Sequence, residues 1–400
     1  MLVFFDLPQT HQALLPLTFT RPLSELRIGI LMIREKWQKH LEINSYSYLT
    51  ADWLMESYPF ETSSTFWYIN GAVCPTPELV EVVRDLREEE ILVDKHQNIL
   101  AIHTKTALEE AIEVLDFPSD DTKTIIFREK FTYLHRPCDV FMNNRDELIL
   151  DFDLLTKRRE SQPLQDPHTR IYNPEQIFLE EGATVRSAVL NADAGPIYIG
   201  KNAEICEGSV IRGAFALGEN AVLNMGTKIK GDTTIGPWCK VGGEISNSVL
   251  IGYSNKGHEG FLGNSVLGEW CNLGADTNIS NLKNNYSEIK VWDYEVEDFK
   301  ATGLIFHGLV MGDHAKSGIN TMFNTGTIVG VGANIFGGGF PPKFVPSFSW
   351  GGALGLQTFR LEKFFEMAER MMQRRKREIS PIEKKMLTEI FEHTQRYRGQ

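Results

Sequence analysis

The strongest constraint on this chain is a spacing of six. Ile199, Ile205, Ile211, Leu217, Leu223, Ile229, Ile235 and Val241 follow one another at that interval without exception, after an earlier pair, Leu179 and Val185. Glycine follows the aliphatic residue at Gly200, Gly218, Gly236 and Gly242. An amphipathic helix needs apolar residues three and four apart, and a meander needs alternation broken by turns. A run of sixes fits neither. It predicts a hexapeptide β-helix, in which each repeat makes one flat side of a coil, the aliphatic residue points inward and small residues fit the corners.

The register slips after Val241, where the next aliphatic–glycine pair is Ile251–Gly252; Leu267–Gly268, Leu273–Gly274 and Ile279 restore it. Residues Leu282 to Leu304 leave the pattern as an inserted loop or arm. A second array follows at Met311, Ser317, Phe323, Val329 and Ile335, and Gly337–Gly339 with the Pro341–Trp350 segment ends it. Leu356–Arg377 and Pro381–His393 read as two amphipathic helices, with the basic run Arg374–Arg377 as a solvated face.

Before the repeats the signals alternate between strand and helix, which points to an α/β domain with a mostly parallel sheet. Leu2–Phe5 and Trp67–Asn70 read as strands, Ile30–His40 and Glu78–Glu90 as helices, and Ile91–Asp94 with Asn98–His103 as a hairpin. The expected organisation is an α/β domain over 1–160, a polar linker over 161–173, the β-helix over 174–350 and a helical tail over 351–400.

Composition narrows the function. A net charge of −12 and a pI near 5.4 argue against a nucleic-acid partner, which asks for a basic face. No run of eighteen apolar residues exists, so no membrane partner is expected, and the opening MLVFFDLPQT reads poorly as a signal peptide. The five cysteines are odd in number and never spaced CxxC, which suits free thiols in the cytoplasm.

Chemistry first shows at Pro16–Pro22, PLTFTRP. This segment resembles the start of sugar-1-phosphate nucleotidyltransferases, where a glycine-rich loop and a PLT…RPKPL segment cradle a nucleoside triphosphate. Here Gln12 and Leu14 stand in place of loop glycines, whose lack of a side chain lets backbone amides approach phosphate, and Leu23 stands in place of the lysine. Ala72, in Asn70-Gly71-Ala72, falls where that family carries a magnesium-binding aspartate. The resemblance thus implies a nucleotidyltransferase-like fold with an altered site, Mg2+ as its metal, and Arg21 and Lys36 as candidate nucleotide-binding cations.

The second half resembles the acetyltransferase part of the GlmU family, through Glu244, His258, Phe261-Leu262-Gly263, Asn272-Leu273-Gly274-Ala275 and Asn281. It is most similar to divergent bacterial members carrying NKGHEGFLGNS and SNLKNNYS. The resemblance implies a left-handed β-helix and transfer of an acetyl group from acetyl-CoA to the amine of a sugar phosphate. A nucleoside triphosphate is then the partner of the N-terminal domain, on the way to a nucleotide sugar such as UDP-N-acetylglucosamine. On that likeness His258 falls on the general base, a role suited to a near-neutral imidazole. Glu244 falls on the carboxylate that orients it, Asn272 and Asn281 on asparagines around the sugar amine, and the Ala275 N–H on the oxyanion donor. Lys228, or its neighbour Lys230, falls on a phosphate-binding arginine. Acetyl-CoA would run along later coils near Ile319 and Gly337. Ser246 replaces a lysine and Phe261 a tyrosine of the sugar site. A homotrimer is implied as well. Two other readings remain: a nucleotidyltransferase whose β-helix only assembles the oligomer, and a non-catalytic binding protein that kept the fold.

Overall fold

The computed structural model of the chain describes residues 1–61, 66–105 and 123–398. These fall into two compact units. The first comprises 1–14, 20–26 and 31–136, and the second 15–19, 27–30 and 137–400.

The first unit is built on a six-stranded sheet in the order Tyr46–Leu49, Leu2–Phe5, Phe66–Asn70, Ile99–Thr104, Glu90–Val93, Lys123–Ile126. Leu2–Phe5 pairs in parallel with both neighbours, and all four of its residues are buried, as a central strand of an α/β layer requires. The expected hairpin forms between Glu90–Val93 and Ile99–Thr104 and makes the sheet mixed. The helix expected over 78–90 spans Pro77–Asp85, opened by the Thr76 hydroxyl, which accepts from the Leu79 N–H at 3.2 Å. It stops early because Glu90 already begins a strand that the sheet claims.

The second unit is a parallel β-solenoid of about 10 turns over residues 170–351. Three sheets form its sides. The first side stacks Arg170–Tyr172 through Phe261–Gly263, the second Ile177–Leu179 through Phe344–Val345, and the third Thr184–Val185 through Ser349–Gly352. Residues of the sixfold series meet in register across coils, for example Ile199 with Leu217, Leu217 with Ile235, and Leu223 with Val241. They are fully buried in one continuous apolar column. At the corners the backbones approach so closely that a Cβ on Gly236 would lie 2.0 Å from the Ile251 carbonyl oxygen.

The slip in the sequence pattern is a shortened corner. Ile229 pairs with Ile245 and Ile235 with Leu250, so four residues rather than six separate Val241 from the next inward side chain. Leu250, not Ile251, takes the inward place on the second side. The arm expected after Leu282 is a hairpin of Lys290–Asp293 with Asp298–Ala301. Arg136 to Asp153, which the sequence places at the end of the first domain, lies largely in a helix over Pro137–Thr156. That helix packs within the second unit: Asn144 accepts from the Gly29 N–H at 2.8 Å and donates to the Asp232 carbonyl at 3.0 Å. The tail folds as helices over Leu361–Gln373 and Pro381–His393, the latter opened by a capping box of Ser380 and Glu383. No helix among the described residues is long and apolar enough to cross a membrane.

Because the solenoid's stability rests on its inward column, Leu217→Ala should cost about 2–5 kcal/mol through lost burial and a residual cavity. Urea denaturation followed by circular dichroism measures this; an unchanged midpoint would contradict the packing described.

Candidate active site

His258 sits on an exposed turn where the third side of one coil passes to the first side of the next. Its position is set from beneath. The inward place on the third side is held in successive coils by Val185, Ile205, Leu223 and Val241, and then by Lys256, which pairs in register with Val241. Lys256 is only 2% exposed. Its ammonium donates to the Gly242 carbonyl at 3.0 Å and the His258 carbonyl at 2.6 Å. Burial pulls its pKa down to about 8, with Glu259 and Asp276 pulling the other way. Asn224 reaches over from an earlier coil and donates to the Gly257 carbonyl at 2.7 Å. Two side chains thus fix consecutive carbonyls of the His258 turn and leave its imidazole facing outward. The sequence pattern hides both, since a lysine at an inward position looks like a break in the repeat.

A cavity of about 690 Å³ opens beside this turn against the third side. His258, Asn272, Ala275 and Ile319 line it, so four of the residues singled out from the sequence meet in one place. The Ala275 carbonyl accepts from the Asn320 N–H at 2.8 Å, while its own N–H has no acceptor among the described residues. That amide is free to meet an oxyanion. Gly274 beside it must stay small, because a Cβ there would lie 2.4 Å from the backbone of Gly318. Gly337 lies further along the same line of corners and is not part of the cavity wall.

Glu244, Lys228 and Phe261 share the first side, where Glu244 stands in register between the other two. No hydrogen bond joins Glu244 to His258; the carboxylate pairs instead with Lys230 at 2.7 Å, while Lys228 lies 3.9 Å from Glu259. Phe261 is held through its N–H, which donates to Asn278 at 2.9 Å. Asn281 donates to Asn264 at 2.8 Å, away from the cavity. The structure therefore separates two groups around the His258 turn: lysines and Glu244 on the first side, and Asn272 with the free Ala275 amide on the third.

The remaining wall of the cavity was not legible in the motif. Lys240, Asn255, Asn272 and Lys316 stand outward at matching positions of successive coils, and Met367, Arg370, Met371, Arg374 and Arg375 of the tail face them. The basic run expected as a solvated face therefore contributes two of its arginines to a cavity wall. The reason is local: the helix ends at Gln373, and the following turn lies along the solenoid, with Arg377 packed 5.0 Å over the Tyr253 ring.

In the first unit, the stretch where a phosphate loop would lie is the short helix Pro8–Ala13, opened by a proline. Just before it, Asp6 is buried, accepts from the Leu23 N–H at 3.1 Å and from the Thr50 hydroxyl at 2.6 Å. Burial raises its carboxyl to about 7 against the pull of those donors. Arg21 and Lys36 are both buried, at 4% and 1% exposure. Asn70 donates to the Ile99 carbonyl and to Tyr133, and Ala72 beside it offers no carboxylate. Among the described residues no group of three histidine, cysteine or acidic side chains is placed to hold a metal. This donor set does not fit a magnesium site, and no step is assigned to one.

Residues 2–160 match the family described as Sugar nucleotidyl transferase. The chain is similar to the "Bifunctional protein GlmU" of Bartonella quintana (strain Toulouse), with 26% identity over 260 residues, covering 62% of this chain and 54% of that protein. It thus spans about half the length of that relative. Among solved structures it is similar to the polySia-specific acetyltransferase NeuO, at 14% identity over 49% of this chain and 85% of that one, with a TM-score of 0.27. A UDP-N-acetylglucosamine acyltransferase from Campylobacter jejuni matches at 15% identity over 56% and 94%, with a TM-score of 0.18.

The buried lysine carries a pH signature. Its folded pKa of about 8 lies below the ordinary 10.5, so the folded state holds fewer protons than the unfolded one between those values. The cost of burying the charge is therefore fully present below pH 8 and fades as pH rises toward 10.5. Between pH 8 and 10, the wild type should gain on the order of 1–3 kcal/mol relative to Lys256→Met. Parallel denaturation curves of the two proteins across that range would contradict a buried, charged lysine.

Proposed function

We infer that this divergent GlmU-like protein, with its sugar nucleotidyltransferase N-terminal unit, is a sugar-phosphate N-acetyltransferase that works at the His258 turn. The observation that carries this is the meeting of an outward imidazole and an uncommitted amide, Ala275 N–H, on one cavity wall. Acetyl transfer to an amine needs both. The imidazole of His258 takes the proton as the amine nitrogen attacks the thioester carbonyl, and the Ala275 amide stabilises the oxyanion that forms. Collapse of that intermediate expels the thiolate of coenzyme A, which leaves with the proton held by the imidazole.

The acceptor is a glucosamine-1-phosphate-like sugar and the donor acetyl-CoA. Lys228 and Lys230 on the first side suit the sugar phosphate, with Phe261 and Asn281 around the sugar. Asn272 lies on the donor side with Ile319, and Gly337 extends that line. Glu244 acts through its pairing with Lys230, which places a carboxylate and an ammonium together where the phosphate-bearing acceptor would enter. The N-terminal unit is a nucleotidyltransferase relative with an altered site, in nucleotide-sugar synthesis in the cytoplasm. The missing loop glycines and the buried Arg21 and Lys36 support the word altered.

His258→Ala should lower kcat for acetyl transfer by roughly 10²–10⁴-fold, the range for one acid–base residue. Coenzyme A release from acetyl-CoA, measured across a panel of amino-sugar phosphates, tests this, and near-normal turnover by the variant would leave His258 as a turn residue only. Pyrophosphate release with UTP, followed in the same samples, should be equal in wild type and variant, because the residues concerned lie in different units.

A homotrimer completes the proposal. Met225, Ile319, Met322 and Phe336 are exposed apolar side chains on or beside the line of corners that includes the His258 turn, and association would cover them. Light scattering at micromolar concentration should give three times the 45.4 kDa chain mass; a monomer would contradict it.

A further inference from the structure

Two short stretches near the start of the chain are built into the second unit. Residues 15–19 and 27–30 belong there, while 20–26 between them belong to the first. In the earlier stretch Leu17 and Phe19 are buried, and the Phe19 ring meets Tyr294 of the inserted arm edge-on, with centroids 5.5 Å apart. Tyr294 in turn packs edge-on against Phe344 of the solenoid at 5.6 Å and Tyr397 of the tail at 5.4 Å. In the later stretch the Arg27 Nε–H donates to the Ile251 carbonyl at 3.0 Å, and the Gly29 carbonyl accepts from the Thr234 hydroxyl at 2.7 Å. The Ile30 N–H donates to Asp151 at 2.7 Å. Gly29 has a φ of +74°, and a Cβ there would lie 2.5 Å from an Asp151 oxygen, so the fit calls for glycine.

These residues enclose PLTFTRP, the motif that resembles a nucleotide cradle. A cradle meets phosphate with uncommitted backbone amides and accessible cations. Here such groups are already engaged. The Leu23 N–H is taken by the two oxygens of Asp6, at 3.1 and 3.2 Å, so the chain's own carboxyl group occupies a donor that a phosphate would need. The space is closed as well: a Cβ on Gly71 would lie 2.8 Å from Asp6 and 3.0 Å from Leu23. The Gly29 and Ile30 amides are held by Asn144 and Asp151, and the Arg27 guanidinium by the Ile30 and Ile251 carbonyls. Arg21 is buried. What the segment does instead is visible in its packing. Phe19 supports the tyrosine on which the arm rests, and the arm begins directly after Asn281, where Leu282 bridges to Phe306 at its base.

We propose that residues 15–30 act as a strap that holds the inserted arm in place rather than as a nucleotide cradle, and that this chain leaves nucleotidyl transfer to a separate enzyme. The strap stands on geometry alone; the order of reactions rests on the acetyl-transfer reading above. On that reading the N-acetylated sugar 1-phosphate made at the His258 turn is released. A separate nucleotidyltransferase consumes it: a phosphate oxygen of the sugar phosphate attacks the α-phosphorus of a nucleoside triphosphate, and pyrophosphate leaves.

Hydrogen exchange and a turnover assay, both on the full chain, test the two parts separately. Phe19→Ala should speed amide exchange in Lys290–Asp293 and Asp298–Ala301 at least about tenfold, and Phe19→Leu by less. The strands around Ile211 and Leu217 should exchange as in the wild type, which shows that the solenoid is intact. Thr234→Val should speed exchange at Gly29 and Ile30. Unchanged exchange in the arm of both Phe19 variants would overturn the strap. Supplied with N-acetylglucosamine 1-phosphate, Mg2+ and UTP, dTTP, CTP or GTP, the wild type should release no more pyrophosphate than a protein-free control. Saturable turnover with any of the four would overturn the assignment of nucleotidyl transfer to another enzyme. Coenzyme A release from acetyl-CoA, measured in the same preparation with amino-sugar phosphates, keeps the readings apart: its absence would overturn acetyl transfer and the order of reactions built on it, while the exchange data alone decide the strap.

Discussion

Everything at the candidate site depends on one packing constraint, the stacking of one inward side chain per side of each coil. Parallel pairing holds neighbouring coils ~4.8 Å apart, so equivalent corners form a straight line along the solenoid. Residues far apart in sequence, such as Asn224, Gly257, Ala275 and Ile319, become neighbours along that line. One coil after the shortened corner, directly above Val241, the column departs from an aliphatic rule. There Lys256 replaces a hydrocarbon with an ammonium that two carbonyls must satisfy, and one of those carbonyls belongs to His258. A rigid stack and a buried cation together decide where the imidazole points.

The chain as a whole carries a net charge of −12, yet the wall facing Asn272 and His258 holds five cations and no acid. On the opposite side of the turn, Lys228 and Lys230 lie beside Glu259 and Glu244. An anionic protein that concentrates positive charge at one turn creates a local field toward which phosphate-bearing molecules are drawn. Both substrates of the proposed reaction carry phosphate, so one field direction would serve both.

Much of the solenoid is legible in the sequence, because an aliphatic residue every sixth position has few structural solutions. Leu217 and Leu223 stand where the spacing puts them, as do Met311, Phe323 and Ile335 of the second array. The hairpin of the first unit and the inserted arm are legible for the same reason, clear punctuation between apolar runs. What escapes the pattern is informative. Ile245 and Lys256 are inward positions that the sixfold count misses, since a corner loses residues there and the next apolar place is taken by a lysine. The role of Arg374 and Arg375 is equally hidden: a basic run looks solvated until the chain after Gln373 is seen to turn along the solenoid. His258, Asn272 and Ala275 line one cavity, whereas Glu244 is engaged by Lys230, a contact between alternate outward residues on neighbouring strands that spacing alone does not reveal.

On the proposed function, the cavity beside the His258 turn seats an acyl donor with its reactive end at His258 and Ala275. A crystal structure of the full chain with coenzyme A tests it most directly. The thiol sulfur is expected near the Ala275 N–H and the His258 imidazole. Coenzyme A bound elsewhere on the chain, or bound in the cavity with its thiol directed away from His258, would contradict it.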